Sequence, residues 1–360
     1  MKILFLMNHI IMGGLEKVLL QYLDVLCAKG MQCTVLSQDK VTDTYFLDFF
    51  KKHNVKFSEL RNTKTHSHVK KPVNKLLNRL TVRRLVNRND VVIDFANFSY
   101  TRELGKLSKR KIGYCHGSIL FFDIAIDKKV LETYDDFVCL SDSFRSDLLK
   151  KYPQYANKVH RIYNPISAQN VQELSTEKYS AKNPFFVAVQ RLDSLDKDVP
   201  TIIRAFNIFS KTHPRYSLYI IGDGPQRAEL EKMAAKNKQI IFTGTINNPY
   251  PFIRNAKALI LSSTTTLGEG LPNTLLEAQA LGTLAISSNV PSGPHEILMD
   301  GKAGILFKPH DYKELANILT NIVNKKYDID KITKTATKNL SRFNAENNVN
   351  RLLNLIQERQ

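Results

Sequence analysis

Tryptophan is absent, and only four cysteines occur in 360 residues: Cys27, Cys33, Cys115 and Cys139. Four thiols cannot frame a disulfide-stapled fold of this length. No C-x-x-C pair exists, which removes a zinc ribbon or a thioredoxin-type centre. Long apolar runs are missing as well. Ile3–Met7 meets Asn8 and His9 at once, with no small-residue cleavage site after it, and no later stretch is long enough to span a bilayer. A reducing, cytoplasmic location is the expectation. Acid is the last scarcity: 34 Asp and Glu stand against 52 Lys and Arg, a formal charge of +18 and a pI near 9.6. That imbalance points to an anionic partner, such as nucleic acid, an anionic membrane or a phosphorylated substrate. Apolar residues, at 43%, are plentiful enough for two buried cores, so disorder is excluded.

What is present alternates. Lys2–Asn8 reads as a buried strand, followed by Gly13-Gly14. Leu15, Val18, Leu19, Tyr22, Leu23 and Leu26 then recur at helical spacing up to Gly30, and Cys33–Ser37 is a second strand. Short apolar runs continue at Val91–Asp94, Lys111–Cys115, Phe137–Leu140 and Val159–Ile162. Such runs, separated by helical stretches, suit parallel strands covered on both faces. A polar segment, 167–183, reads as a linker after Asn164-Pro165. Alternation restarts with strands at Phe185–Val189, Ser217–Ile221, Ile240–Phe242, Lys257–Leu261 and Leu284–Ser287. Helices are expected at Thr201–Ser210, Gln226–Ala235 and Asn273–Leu281, and the pattern is helical from about residue 311, ending in Ala345–Arg359. The fold class is therefore α/β, with two doubly wound parallel sheets.

Four motifs carry candidate chemistry. Gly13-Gly14-Leu15-Glu16 lets backbone approach a ligand at a helix N-terminus, but it is not the G-x-G-x-x-G of a dinucleotide site. Gln190-Arg191-Leu192 with Lys197 puts two cations after a strand, where a diphosphate would be held, although Asp193, Asp196 and Asp198 offer them partners nearby. Ile221-Gly-Asp-Gly-Pro225 is a glycine turn before a helix. Residues 268–282, Gly-Glu-Gly-Leu-Pro-Asn-Thr-Leu-Leu-Glu-Ala-Gln-Ala-Leu-Gly, are the most informative. Pro272 suits a first helical position, Gly268 and Gly270 leave backbone N–H groups accessible, and Glu269 and Glu277 can accept hydrogen bonds from sugar hydroxyls.

Together with His116-Gly117, Asn164-Pro165 and Ser292-Gly-Pro-His-Glu-Ile297, these pieces resemble the retaining family 4 glycosyltransferases of the GT-B fold. The resemblance covers nearly the whole chain in the expected order. It implies two Rossmann-like domains facing a cleft: 1–165 for the acceptor, 166–340 for the nucleotide-sugar donor, and 341–360 as a C-terminal helix packing back on the first. It implies that Glu277 binds the donor ribose and Glu269 the transferred sugar. Arg191 and Lys197 would grip the diphosphate, Gly14 would approach the donor, and His116 would stand near the reaction centre. Gly270, Leu271, Pro272, Asn273 and Thr274 would wrap the sugar and phosphate. Two features depart from the family pattern: Gln190 stands where Gly is usual, and Lys197 lies one residue further from Arg191 than is common.

No obligatory metal or cofactor is expected. Asp196-x-Asp198 has the spelling of a metal motif, but it lies inside the Arg/Lys loop and reads as solvated. The expected partners are a nucleotide sugar, UDP-linked by preference, and a glycan or glycolipid acceptor such as lipopolysaccharide or capsule. Charge adds a third. Residues 1–170 carry 28 basic and 16 acidic side chains, and Lys51–Arg84 holds eleven Lys or Arg against Glu59 alone, with His53, His66 and His68. Lys51, Lys52, Lys70, Lys71, Lys75, Arg79, Arg83 and Arg84 are candidates for contact with acceptor or with the anionic inner membrane surface, which would make the chain peripheral there. Lys75–Arg88 reads as a helix bearing Leu76, Leu77, Leu80 and Leu85. The rival readings are a nucleic-acid-binding protein, which charge favours but no helix-turn-helix, RNP or zinc-finger signature supports, and a GT-B-fold epimerase or phosphorylase.

Overall fold

The computed structural model describes residues 1–11, 13–62, 70–105, 107–125, 129–181, 184–193 and 196–358. They form two compact units. The first holds residues 1–117, 121–165 and the chain from Ala345 onward; the second holds 166–344 with Ser118–Leu120. Each is a parallel sheet with helices between successive strands.

The first sheet has seven strands: β1 (Lys2–Met7), β2 (Gln32–Ser37), β3 (Lys56–Glu59), β4 (Val91–Asp94), β5 (Arg110–Cys115), β6 (Asp136–Cys139) and β7 (Val159–Arg161), in the order β3-β2-β1-β4-β5-β6-β7. The second has six: β8 (Phe185–Val189), β9 (Ser217–Ile221), β10 (Ile240–Gly244), β11 (Leu259–Leu261), β12 (Ala285–Ser288) and β13 (Ile305–Phe307), in the order β10-β9-β8-β11-β12-β13. Strand order reverses at β1/β4 in one unit and at β8/β11 in the other. Ile3–Met7 and Leu259–Leu261 are buried throughout, because helices cover both faces. The expected doubly wound α/β architecture is there in both halves.

Three local expectations fail. Residues 167–183 are not simply a linker. Ser167 caps a helix, Ala168–Leu174, by accepting from the Asn170 N–H. Gln172 donates to the Ala280 carbonyl at 2.9 Å and Asn248 donates to that of Leu174 at 2.8 Å, so the helix is part of the second unit. Its sequence hides it because Val171 is its one buried side chain. Pro272 is the N-cap rather than the first residue of its helix, Asn273–Ala280. Strands β3 and β13 escape pattern reading because both are short edge strands. Among the described residues, no helix is long and apolar enough to cross a membrane.

A half-buried arginine ties the C-terminal helix, Ala345–Gln357, to the first unit. Arg110, at the start of β5, donates to the Ile356 carbonyl, to the Leu355 carbonyl at 2.5 Å and to Asp136 Oδ2 at 2.7 Å. Those carbonyls belong to the helix's last turn, where intrahelical donors run out. Asp136 is fully buried and also meets His160 Nε2 at 3.0 Å. Arg110→Met should cost about 3–5 kcal/mol, since it strands a buried carboxylate. A lowered urea midpoint, with faster amide exchange across Ala345–Gln357, is the expected readout.

Candidate functional site

The second unit gathers its polar side chains at the carboxyl ends of β8 and β11, its switch point, where open α/β sheets receive ligands. The segment after β8 is pinned to the one after β11. Asp198 N–H donates to the Ser262 carbonyl, Thr264 N–H donates to that of Asp196, and Lys197 bridges Ser263. This pairing turns the Lys197 ammonium onto the Glu269 carboxylate, which also accepts from Ser263 Oγ at 2.5 Å. Glu269 is 8% exposed, so it needs both donors. Arg191 stays exposed and pairs with Asp196 at 2.9 Å, while Lys197 lies 3.7 Å from the same carboxylate. Asp198 caps the next helix through Thr201 and meets His310 Nδ1 at 2.8 Å. Asp196 and Asp198 are therefore engaged with cations and a helix end, not left solvated as their place in the Arg/Lys loop suggested.

Two glycines hold the Arg191 loop in place. Gly222, at φ +141°, lies so close that a Cβ would stand 2.1 Å from the Gln190 carbonyl, and one on Gly224 would stand 2.4 Å from that of Leu192. The Ile221–Pro225 turn thus supports the cation loop by packing.

The Glu269–Gly282 block folds as a loop and a helix. Glu269 bridges Ser292, and Gly293 lies so near that a Cβ would come within 2.2 Å of the Gly270 carbonyl. Ser292–Ile297 is accordingly the support beneath Gly270, Leu271 and Pro272. Asn273 and Thr274 open the helix half-buried. Glu277, one turn on, is 5% exposed and accepts from Tyr250 OH at 3.3 Å.

In the first unit, Gly14 opens the helix Gly14–Ala28, and Gly13 leaves room for the buried Glu16 carboxylate to fold back. His116 follows β5. Its N–H donates to Asn97 Oδ1 at 2.7 Å and its ring packs on Phe95, centroids 4.3 Å apart. Its Nε2 is shut from water with no partner among the described residues. Asn97 and Phe98 are both left-handed, at φ +52° and +66°. Asp94, fully buried at the end of β4, holds their loop by accepting from Ala96 N–H, Tyr100 N–H and Tyr134 OH.

Residues 12–170 match the model for Glycosyltransferase Family 4, and residues 172–339 match that for Glycosyl transferases group 1. The chain belongs to the family 4 glycosyltransferases. An uncharacterized glycosyltransferase of Methanocaldococcus jannaschii is 28% identical over 52% of this chain and 51% of its own. The lipopolysaccharide 1,6-galactosyltransferase of Salmonella typhimurium is 28% identical over 56% and 57%. The chain spans about half the length of the curated relatives it matches. Anabaena HepE, solved in complex with UDP and glucose, shares the fold at a TM-score of 0.79 and 16% identity, over 99% of each chain.

Within the family frame, the second unit brings Arg191, Lys197 and Glu269 into one cluster, and Glu277 has its own support. Sequence reasoning missed Tyr250, Ser263 and Asn97. Only Ser263 left a signal, a polar pair directly after an apolar strand. The basic block divides: Lys51 and Lys52 end the helix Thr44–Lys52, whereas Lys71, Lys75, Arg79, Arg83 and Arg84 lie on Lys70–Arg88. The first helix joins β2 to β3 and the second returns from β3 to β4, so right-handed crossovers put them on opposite faces of the sheet. His66, His68 and the Lys70 side chain lie outside the described residues.

Burial lowers the His116 pKa from 6.5 to about 3, so the ring is neutral. The unfolded chain gains this proton near its ordinary value while the folded chain does not, so the histidine's contribution to stability is complete above pH 6.5 and is lost as pH falls toward 3. Asp94 has the opposite sign. Burial raises it from 3.8 to about 6, and its contribution fades as pH rises through that window. His116→Asn removes only the first, so the Tm of the variant relative to the parent should rise on acidification from about pH 7 to pH 5. A Tm difference that stays flat with pH would contradict a neutral, shielded imidazole.

Proposed function

We propose that the chain transfers a hexose or N-acetylhexosamine from a UDP-sugar, with retention, to a glycan or glycolipid acceptor such as lipopolysaccharide or capsule. The carrying observation is the charge cluster at the β8/β11 switch point. An exposed Arg191, Lys197 locked to Glu269, and a separately supported Glu277 are the parts that diphosphate, sugar and ribose each require. The relative that acts on lipopolysaccharide supports the acceptor class, and HepE with UDP and glucose supports the donor.

In this reading the unliganded cations are held by carboxylates that the donor displaces. Arg191 leaves Asp196 for the diphosphate, and Lys197 turns from Glu269 toward the same anion. Glu269 is then free to accept from sugar hydroxyls, with Ser263 still holding one of its oxygens. Glu277, fixed by Tyr250, accepts from the ribose diol. During transfer the bond from the sugar's anomeric carbon to the diphosphate breaks, and one to the acceptor oxygen forms. The acceptor's proton passes to the departing phosphate. Negative charge grows on the leaving group, so Arg191 and Lys197 stabilise the transition state more than the ground state. His116 is neutral and brings no fixed charge.

Arg191→Ala and Glu277→Ala should each lower kcat/KM for glycosyl transfer by about 100- to 1,000-fold while leaving the unfolding midpoint near that of the parent. Near-normal turnover in both would remove this site. A thermal-shift panel of nucleotides and nucleotide sugars tests the donor. UDP compounds should raise the Tm; a response to GDP alone would change the base, and no response would end the reading.

A further inference from the structure

The helix Lys70–Arg88 has its inner face settled. Asn74 donates to the Asn62 carbonyl at 2.7 Å, Asn78 makes two hydrogen bonds to the Arg61 backbone, and Val82 and Val86 are buried. At 100° per residue, the outward pole falls on Val73, Leu76 and Leu80, spaced i, i+3 and i+7. These side chains are 48%, 58% and 53% exposed. Three large apolar groups in one stripe are left in water. Exposed Arg79 and Arg83 flank the stripe on one side and Arg84 on the other, and none of the three forms an ion pair among the described residues. Between Glu59 and Asp90 the sequence contains no acid and nine Lys or Arg.

We propose that this face docks the protein on an anionic lipid leaflet, with Val73, Leu76 and Leu80 entering the acyl boundary and Arg79, Arg83 and Arg84 meeting the headgroups. The charge explains an anionic partner, and the apolar crest selects the bilayer. A nucleic-acid backbone would pair with the arginines but give the leucines nothing to enter, whereas an interfacial helix uses both at once. Arginine stems also lie along apolar surface while their heads reach phosphate. Lys51 and Lys52, on the other face of the sheet, have no part in this contact. The proposal deepens the glycolipid reading above, but vesicle binding needs no nucleotide sugar, so the two can fail separately.

Flotation of the full chain with vesicles of phosphatidylcholine alone, or with about 30% phosphatidylglycerol added, is the test. The parent should float only with the anionic vesicles. Leu76→Ser with Leu80→Ser keeps the charge and should weaken that binding at least tenfold while leaving retention on heparin unchanged. Arg79→Gln, Arg83→Gln and Arg84→Gln together should weaken both. All five side chains are exposed, and an unchanged unfolding midpoint confirms the fold of each variant. Anionic-vesicle binding that the serine pair leaves intact overturns the proposal. So does equal flotation with both vesicle types, or flotation with neither when duplex DNA binds.

Discussion

Parallel strands can be joined only by a crossover, and the crossover is right-handed. Much of the placement in this protein follows from that constraint. A chain that winds outward in one direction and then returns past its first strand creates one place per sheet where the order reverses. In the second unit that place is β8/β11, and the loops after those strands meet as Lys197 pairs with Ser263. In the first unit it is β1/β4, where the Tyr100 hydroxyl donates to the Met7 carbonyl and Asn8 reaches Ser99. The same rule sends the two helices of the basic block to opposite faces, so one dense stretch of sequence becomes two surfaces.

Acid is scarce in the composition, yet it supplies several of the interior's fixed points. Glu16, Asp94, Asp136, Asp198, Glu269 and Glu277 are all buried, while no Lys or Arg is buried among the described residues. The surface is consequently more basic than +18 suggests. A buried carboxylate must be matched by donors, and the structure matches each in its own way. Asp136 takes an arginine that also closes a helix end. Asp94 takes neutral hydroxyl and backbone donors, which offset only part of the rise in pKa that burial imposes. Glu269 takes a lysine and a serine hydroxyl, and Glu277 takes a tyrosine.

The strands were readable because a doubly covered sheet demands short, wholly apolar runs. The motif from Gly268 to Gly282 was readable because its glycines, proline and carboxylates are neighbours in sequence. The supports of the site were not. Tyr250 stands 27 residues from Glu277, and Asn97 stands 19 from His116; nothing local marks either pair. The segment after Pro165 looked like a tether because a short helix with one buried valine has little pattern to show.

By itself the sequence determined the α/β class, the chain order of strand and helix, the basic excess and the carboxylate motif, because each depends on residue type and local spacing. Only the tertiary structure decided which cations meet which carboxylates, why Gly222 and Gly224 are glycines, and which side of the helix Lys70–Arg88 is left outward. Those are matters of how crossovers bring distant segments together. A charge of +18 names a class of partner, but burial on one face decides where that partner can be met.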